Sequence, residues 1–395
     1  MIVRKGFRFR IYPSAEQVEK LLAWESTLRF LWNLALEQRQ AGLRRSKDER
    51  RYPTAFDQIN ELTDLRAELP WLAAVPRNVS AQVLVELDKA WQRCFKKLAR
   101  APRWKRKGRD AIGLCEPHPK AWNLVGDRLH FPKLGKMRAV VHRALEGTPK
   151  TCTIRRDGDQ WFASILCEIE VADPTIRTMP VVALDRGVVL LTADSDGRMI
   201  ENPAHLERSL KRLVRAQRIV ARRKKGSKNR EKAKVRVATI HRKVRKQREH
   251  VLHQISHDYA NSHGTVVIEK LQIGNMVKAN SGLARRIMGA GWGRLSEMLR
   301  YKLAWSGGTL VEVPAAYSSQ TCNGCGHVDA ASRISQASFV CAKCGLKEHA
   351  DINAAKVLKS RWKPSAQPVE GSSTEARRSR KALRVPRRST QSSSL

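Results

Sequence analysis

Residues 321–358 read TCNGCGHVDAASRISQASFVCAKCGLKEHADINAAKVL and contain two C-x-x-C pairs. The first is Cys322-Asn323-Gly324-Cys325, and the second, after fifteen intervening residues, is Cys341-Ala342-Lys343-Cys344. Each pair presents two thiolates on a tight turn, and a loop of this length lets the two turns converge on one ion. The spacing therefore predicts a zinc ribbon whose ligands are Cys322, Cys325, Cys341 and Cys344.

A carboxylate follows the second pair closely. Asp351 lies seven residues after Cys344 and opens the segment 351–358, which has the apolar spacing of a helix. A ribbon packed against this helix would position the carboxylate. Two other interpretations stay open: the ribbon is a separate knuckle that binds DNA or a partner, or Asp351 is only the N-cap of its helix.

The charge balance indicates a polyanionic partner. The 395 residues include 76 Lys and Arg against 37 Asp and Glu, a formal net charge of +39. So many like charges repel one another unless a polyanion neutralises them, so nucleic acid is the expected partner. A structural, ribosome-like binder is the alternative. With no apolar run long enough for a membrane span and no signal-peptide core, we expect a cytoplasmic or nucleoid-associated protein in which no disulfide framework forms.

The first 175 residues alternate between strand and helix patterns. Residues 1–12 alternate as a strand, and helical patterns follow, with Ser14 and Gln17 as a capping box at the first start. Short strand patterns fill 111–175, including an Asp157-Gly158 hairpin turn. We expect residues 1–12 to pair with these strands, so that a small antiparallel barrel is interrupted by a helical insertion.

Basic residues concentrate in two places. The loop 96–109 is punctuated by Pro and Gly and carries one aromatic residue, Trp104, which predicts a segment that follows phosphates and offers a stacking side chain. The helical stretch 205–260 keeps an apolar helical period and is broken at Gly226-Ser227. Its basic face is expected to lie on a phosphate backbone; the residues concerned are Lys211, Arg212, Arg215, Arg218, Arg222, Arg223, Lys224, Lys225, Lys228, Arg230, Lys232, Lys234, Arg236, Arg242, Lys243, Arg245, Lys246 and Arg248. A solvated linker and a solvated helix face are the alternatives.

Two more carboxylates follow buried strand patterns. Asp185 ends the run Val181–Leu184, and Glu269 ends the run Gly264–Ile268. A charged side chain directly after an apolar run is costly unless it is paired or bound to a metal. If Asp185, Glu269 and Asp351 converge, their hard oxygen ligands suit two Mg²⁺ ions, one activating a water and the other stabilising the leaving 3′-oxygen of a phosphodiester.

These motifs together resemble the TnpB family, the insertion-sequence-encoded relatives of type V CRISPR nucleases. The resemblance extends to about residue 362. It rests on the cysteine pairs and on six short motifs: Phe9-Arg10-Ile11-Tyr12-Pro13, Phe131-Pro132-Lys133-Leu134-Gly135, Ala183-Leu184-Asp185-Arg186-Gly187, Val267-Ile268-Glu269-Lys270-Leu271, Gly291-Trp292-Gly293 and His349-Ala350-Asp351-Ile352-Asn353.

The resemblance implies a mixed α/β, multi-domain fold with an RNase H-like (RuvC) nuclease core. It implies four parts: an oligonucleotide-binding barrel (1–12 and 111–175), a helical recognition lobe (13–110), the nuclease domain (176–316 and 350–362) and the zinc ribbon (317–349). The composition of 363–395, rich in Ser, Arg and Pro, predicts a disordered basic tail. By the family pattern, Asp185, Glu269 and Asp351 are the catalytic Mg²⁺ ligands. A guide RNA from the transposon end and double-stranded target DNA are the implied partners, with cleavage beside a transposon-adjacent motif.

Two residues depart from the family pattern. Ala350 stands where many relatives have Arg, which would remove a phosphate contact and slow cleavage. Arg186 stands beside the first metal ligand, where a smaller or aliphatic residue is frequent. Neither removes a carboxylate, which disfavours a nuclease-independent RNA-guided DNA-binding regulator; an accessory transposase is the third interpretation.

Overall fold

The computed structural model describes residues 1–44, 52–175, 179–279 and 281–363, without the side chains of 279, 281 and 282. These residues form two compact units. The first comprises Met1–Pro180, Glu201–Val266 and Gln272–Leu310, and the second comprises Val181–Ile200, Val267–Leu271 and the chain from Val311. The predicted tail, 363–395, lies outside the described residues apart from Lys363.

The described elements are grouped into runs of helices and runs of strands. Up to residue 170 they are β1 (Ile2–Tyr12), α1 (Ala15–Arg44), α2 (Ala55–Glu68), α3 (Pro70–Ala73), α4 (Arg77–Phe95), β2 (Leu114–Glu116), β3 (Asn123–Val125), β4 (Arg128–Phe131), β5 (Gly135–Val140), β6 (Thr148–Asp157) and β7 (Gln160–Glu170). From residue 181 they are β8 (Val181–Asp185), β9 (Leu190–Asp194), β10 (Met199–Glu201), α5 (His205–Arg222), α6 (Lys228–Ser262), β11 (Thr265–Glu269), α7 (Ile273–Ala279), α8 (Ser281–Ala290), α9 (Trp292–Ser306), β12 (Thr309–Val313), β13 (Ser338–Val340), β14 (Lys347–His349) and α10 (Ala350–Ser360). Of the helices described, none is long and apolar enough to cross a membrane.

A seven-stranded sheet has the order β2-β6-β7-β1-β5-β4-β3, with β1 at its centre. β1 pairs antiparallel with β7 along most of its length and with β5 at its end. The N-terminal strand therefore joins strands that follow the helical insertion, as the sequence predicts. In the described part of the chain β2 and β3 form the edges of this sheet, so its closure into a barrel stays a prediction.

The sheet and the first helices share one apolar core. Alternation in β1 buries Phe7, Phe9 and Ile11 on one face, where they join a cluster with Leu21 and Leu28 of α1. Trp24 and Trp32 of α1 belong to the same core. The first backbone N–H groups of an α-helix have no partner within the helix. At the start of α1 a side chain accepts from one of them.

Ser14 and Gln17 form the predicted capping box at the start of α1. The Gln17 N–H donates to Ser14 Oγ (3.3 Å) and the Ser14 N–H donates to Gln17 Oε1 (2.9 Å). The Gln17 amide then donates to the carbonyl oxygens of Leu134 (2.9 Å) and Lys136 (3.0 Å). Gln17 thus caps α1 and also joins this helix to the backbone of Leu134 and Lys136 beside the sheet.

The turn between β6 and β7 is held against α6. Gly158 occupies this turn with φ +67°, and Arg242 Nη1 donates to the Asp157 carbonyl oxygen (2.7 Å) and to Asp159 Oδ1 (2.9 Å). Arg245 pairs with the Asp157 carboxylate. Arg242 is only 7% exposed. The prediction that it lies on a phosphate-binding face is therefore wrong, because its guanidinium donates to carbonyl and carboxylate oxygens of the hairpin instead.

A five-stranded sheet has the order β10-β9-β8-β11-β12. The Gly264 N–H, just before β11, donates to the carbonyl oxygen of Pro180, just before β8 (3.2 Å), so these two strands start side by side and run in the same direction. Their carboxyl ends consequently lie at the same edge of the sheet. Helix α10 packs on this sheet through Leu358, which contacts the core residues Ala183, Val267 and Val313.

We expect Gly158→Ala to destabilise the first unit more than Gly126→Ala. Both glycines have positive φ, so each substitution costs about 1–2 kcal/mol in backbone strain. A methyl group at Gly158 would also lie 3.1 Å from Ala238 Cβ and Arg242 Nη1, whereas nothing lies within 4 Å of one at Gly126. Denaturant unfolding should show about 1 kcal/mol more loss for Gly158→Ala. Equal losses would contradict the docking of the turn on α6.

Candidate active site

The four ribbon cysteines converge. Their sulfur atoms all lie within 4.8 Å of one another, with 3.6 Å between Cys322 and Cys344 and 3.6 Å between Cys325 and Cys341. A tetrahedron with Zn–S bonds of about 2.3 Å has edges of about 3.8 Å, so the thiol spacing fits a zinc ion. The structure thus brings together all four predicted zinc ligands.

Both cysteine pairs lie on turns of the same form. The N–H groups of Gly326 and Gly345 donate to the carbonyl oxygens of Cys322 and Cys341, each at 3.0 Å, and both glycines have positive φ. The Cys344 N–H donates to Cys341 Sγ (3.4 Å) and lowers the pKa of Cys341 to about 6. At Cys341 the turn geometry therefore favours the thiolate that zinc requires, whereas hydrogen bonds from the neighbouring thiols raise the pKa of Cys344.

The three predicted carboxylates occupy the ends of three elements of the second unit. Asp185 is the last residue of β8, and Glu269 is the last residue of β11, the neighbouring strand. Asp351 lies in the first turn of α10 and is buried. The N-cap of this helix is His349, whose side chain accepts from the Asp351 N–H (3.3 Å), so Asp351 is not the cap.

The carboxylates influence one another electrostatically. Burial raises the pKa of Asp185, and the charges of Glu269 and Asp351 raise it further. Burial also raises the pKa of Glu269, although Arg186 opposes that effect. Among the described residues, the four cysteines form the group whose donor atoms all lie within 4.8 Å of one another. A pair of divalent cations held by the three carboxylates would activate a water and stabilise a leaving oxygen.

Arg186 forms a buried ion pair with Glu269. Its Nε donates to Glu269 Oε1 (3.1 Å), its Nη2 donates to the Glu269 carbonyl oxygen, and both side chains are 3% exposed. The other carboxylate oxygen, Oε2, is buried and has no hydrogen-bonding partner among the described residues. Arg186 therefore fixes the carboxylate in one orientation and leaves a single oxygen available to a ligand.

Arg333 is a site residue that the sequence analysis missed. Its Nη2 donates to Asp351 Oδ1 (3.0 Å), although it lies eighteen residues earlier in the chain and inside the zinc ribbon. Ala350, where the resemblance implied the loss of a phosphate contact, is buried with Cys322 and Cys341 in the ribbon core. No local pattern marks Arg333, because the contact depends on how the ribbon folds back onto α10.

The residues present fit a divalent oxygen-preferring cation. They offer only carboxylate oxygens, the ligands that Mg²⁺ prefers, and the unpaired Glu269 Oε2 is a costly orphan that a cation would satisfy. Three carboxylates face two guanidinium groups, so full ionisation leaves an excess of negative charge. Arg186 and Arg333 offset part of this repulsion and thereby hold the carboxylates together.

We expect Asp185→Asn to stabilise the protein in magnesium-free, zinc-replete buffer. The pKa of Asp185 is higher in the folded state than in the unfolded state, so folding stability is lost as pH rises above about 4, where the unfolded carboxyl ionises first. At pH 7.5 the thermal unfolding midpoint of Asp185→Asn should be higher than that of the unaltered protein. This difference between the two midpoints should shrink toward pH 4. Asp196→Asn, at a surface carboxylate paired with Lys359, is the control. An unchanged or lower midpoint for Asp185→Asn at pH 7.5 would contradict the buried, mutually repelling carboxylates.

Three family models match the chain. Residues 164–280 match a family described as "Probable transposase", residues 292–358 match a Cas12f1-like TNB domain, and residues 1–48 match a helix-turn-helix domain. The described residues of this last segment form a strand and a single helix, β1 and α1. The second match spans the ribbon and the start of α10.

Two relatives match almost the whole chain. A protein of Escherichia coli K12, provisionally named RNA-guided DNA endonuclease InsQ, is 31% identical over 89% of this chain and 90% of its own length. A protein of Streptomyces pristinaespiralis, provisionally named RNA-guided DNA endonuclease, is 34% identical over 90% of this chain and 88% of its own. A solved Cas12f1–guide RNA–target DNA complex contains a similar fold, with TM-score 0.58 and 12% identity over 90% of this chain and 98% of that one. The chain belongs to the TnpB family of insertion-sequence proteins, which is related to Cas12f.

Proposed function

We propose that this chain is the RNA-guided DNA endonuclease of an insertion sequence and hydrolyses guide-matched DNA with two Mg²⁺ ions. The observation that carries the proposal is the placement of three carboxylates: Asp185 and Glu269 end adjacent strands, and Asp351 lies at the start of a helix. The charges of Glu269 and Asp351 both raise the pKa of Asp185. The activity by which the E. coli and Streptomyces relatives are provisionally named supports it.

The chemistry assigns separate tasks to the residues. Bound Mg²⁺ supplies an activated water and stabilisation of the leaving 3′-oxygen. Glu269 offers Oε2 because Arg186 holds Oε1, and Asp351 keeps its orientation through Arg333. Asp185 is the carboxylate whose pKa the charges of both others raise, so a bound cation would relieve the repulsion at this residue. Arg333 is partly exposed, so its positive charge also favours an approaching phosphate.

We assign the parts of the chain accordingly. The five-stranded sheet and α10 correspond to a RuvC-like core within 176–316 and 350–362, with the zinc ribbon at 317–349. The seven-stranded sheet corresponds to an oligonucleotide-binding barrel built from 1–12 and 111–175, and 13–110 to a recognition lobe. The supporting observations are the strand orders, the cysteine cluster and the insertion of α1–α4 between β1 and β2.

Helices α5 and α6 supply a basic surface for guide RNA or the RNA–DNA duplex. Fourteen of the eighteen basic residues predicted for this face are exposed, the exceptions being Arg230, Arg242, Arg245 and Arg248. The face continues into a groove of about 550 Å³ beside the seven-stranded sheet. This groove is lined by Arg8, Arg10, His142, Phe162, Lys243 and Lys246, among others. A phosphate backbone is the ligand class that such a set of cations recognises.

The basic loop 96–109 is anchored to α1. Trp32 Nε1 donates to the Arg103 carbonyl oxygen (3.1 Å), and the Asn33 side chain exchanges two hydrogen bonds with the Lys105 backbone (2.8 and 3.1 Å). The Lys105 Nζ atom lies 4.3 Å from the centre of the Trp32 ring. Trp104 between these anchors is 45% exposed. The anchoring holds Trp104 outward in a position where a base can stack on it.

The experiment that tests the function uses the full-length protein purified with the RNA transcribed from its own flanking region. Incubation with guide-matched DNA, a library of adjacent motifs and Mg²⁺ should give cleavage that stops when Mg²⁺ is withheld. No cleavage with any motif in the library would refute the proposal. Strand transfer by the purified protein would instead indicate a transposase.

Asp185→Ala is expected to lower the cleavage rate about a thousandfold or more, because a two-ion site contributes several kcal/mol to the barrier. RNA and DNA binding should be retained, since the carboxylate repels phosphate. Single-turnover cleavage and filter binding measure the two effects, with Asp196→Ala as a surface control. A cellular effect of the protein that survives Asp185→Ala would favour the nuclease-independent regulator.

Trp104→Ala should weaken single-stranded nucleic-acid binding by about 1–3 kcal/mol, the contribution of one stacked base. Its salt dependence should stay unchanged, because no charge is lost. Trp71→Ala, at a tryptophan of similar exposure (44%) that packs edge-on against Phe30, is the matched control. Fluorescence titration at several salt concentrations checks this, and equal effects of the two substitutions would contradict the stacking role.

A further inference from the structure

Asn353 links the first cysteine turn to the helix that carries Asp351. It lies two residues after Asp351 in α10 and is fully buried. Its Oδ1 accepts from the backbone N–H of Asn323 (2.9 Å), the residue that directly follows Cys322. It also accepts from Asn323 Nδ2 (2.8 Å). The helix therefore contacts the peptide group next to a predicted zinc ligand.

The same carboxamide donates on its other side. Asn353 Nδ2 donates to the carbonyl oxygen of Thr321 (2.8 Å), so one side chain bonds to the backbone before and after Cys322. This requires an acceptor and a donor at the end of one short side chain, which Asn supplies and Asp does not. The hydrogen bonds define both the depth and the rotation of α10 against the cysteine turn.

A second connection reinforces the first. Asn323 Nδ2 also donates to Glu348 Oε2 (2.7 Å), and Glu348 pairs with Lys356 of α10. Asn353 and Lys356 are three residues apart and so lie on one face of the helix. The cysteine turn thus contacts α10 directly at Asn353 and, through Glu348, indirectly at Lys356.

We propose that Asn353 is a positioning residue that transmits the zinc-dependent fold of the Cys322–Cys325 turn to the carboxylate of Asp351. With zinc bound, the turn presents the Thr321 carbonyl oxygen and the Asn323 N–H at the separation that Asn353 bridges. Without zinc, the turn loses this geometry and the start of α10 loses its main polar support. The proposal rests on the proposed function only in taking Asp351 as a cation ligand.

The test measures Mn²⁺ affinity by electron paramagnetic resonance in the full-length protein, zinc-loaded and zinc-free. Zinc removal should weaken Mn²⁺ binding of the unaltered protein about 10–100-fold, the usual effect of losing a partner that orients a ligand. Asn353→Ala, with one zinc still bound, should also be weakened, and zinc removal should then weaken it by a smaller factor than in the unaltered protein, because only the Arg333 contact still depends on the ribbon.

Two further variants calibrate the result. Asn323→Ala keeps the backbone N–H that donates to Asn353, so its Mn²⁺ affinity should fall by an intermediate factor. Lys359→Ala, at an exposed position of the same helix paired with Asp196, should behave as the unaltered protein. If Asn353→Ala fails to hold zinc, the zinc-loaded and zinc-free comparison for Asn323→Ala decides.

The proposal is overturned if zinc-loaded Asn353→Ala binds Mn²⁺ as tightly as the unaltered protein. It is equally overturned if zinc removal weakens Asn353→Ala and the unaltered protein by the same factor, because the two perturbations would then be independent. Failure of the proposed function looks different. In that case Asp185→Ala leaves the Mn²⁺ isotherm of the zinc-loaded protein unchanged, whatever the Asn353 variants do.

Discussion

The mutual repulsion of three carboxylates, of which Glu269 and Asp351 are buried and Asp185 is half-buried, constrains the second unit. Asp185, Glu269 and Asp351 come from distant parts of the chain, and bringing them together raises the pKa of Asp185 because like charges in a poorly hydrated site disfavour ionisation. Two guanidinium groups, those of Arg186 and Arg333, offset part of this cost. The remaining negative charge is what gives such a site its affinity for divalent cations.

The zinc ribbon connects to this constraint at more than one point. It supplies Arg333, which holds Asp351, and it supplies the cysteine turn to which Asn353 is bonded. A ribbon of this size has a small apolar core, with Phe339 and Ala350 among its buried residues, so bound zinc would contribute much of its folding free energy. The predicted zinc site and the proposed catalytic carboxylate, Asp351, therefore belong to one folding unit.

Local patterns in the sequence predicted most of the elements. Ser14 with Gln17 and the C-x-x-C pairs act within a few residues, and each is formed as predicted. The strand ends at Asp185 and Glu269 were also readable, because an apolar run followed by a carboxylate is a local signal. Pairing of β1 with strands beyond the helical insertion followed from alternation and from the family resemblance.

The residues that hold the site together could not be predicted in the same way. Arg333 contacts Asp351 across eighteen residues, and Arg186 contacts Glu269 across eighty-three, so neither role has a local pattern. Arg242 was indistinguishable from its basic neighbours in sequence, yet it is buried because the β6–β7 turn presents carbonyl and carboxylate oxygens to it. Such roles depend on which groups the tertiary fold places opposite one another.

The most direct test of the central account is anomalous diffraction from crystals of the RNA- and DNA-bound protein grown with Mn²⁺. The account predicts two peaks, together contacted by the carboxylates of Asp185, Glu269 and Asp351 at about 2.0–2.2 Å, the range of hard cation–oxygen bonds. It predicts that Oε2 is the Glu269 oxygen in contact. Anomalous peaks elsewhere, with these three carboxylates free of Mn²⁺ in the presence of bound DNA, would contradict it.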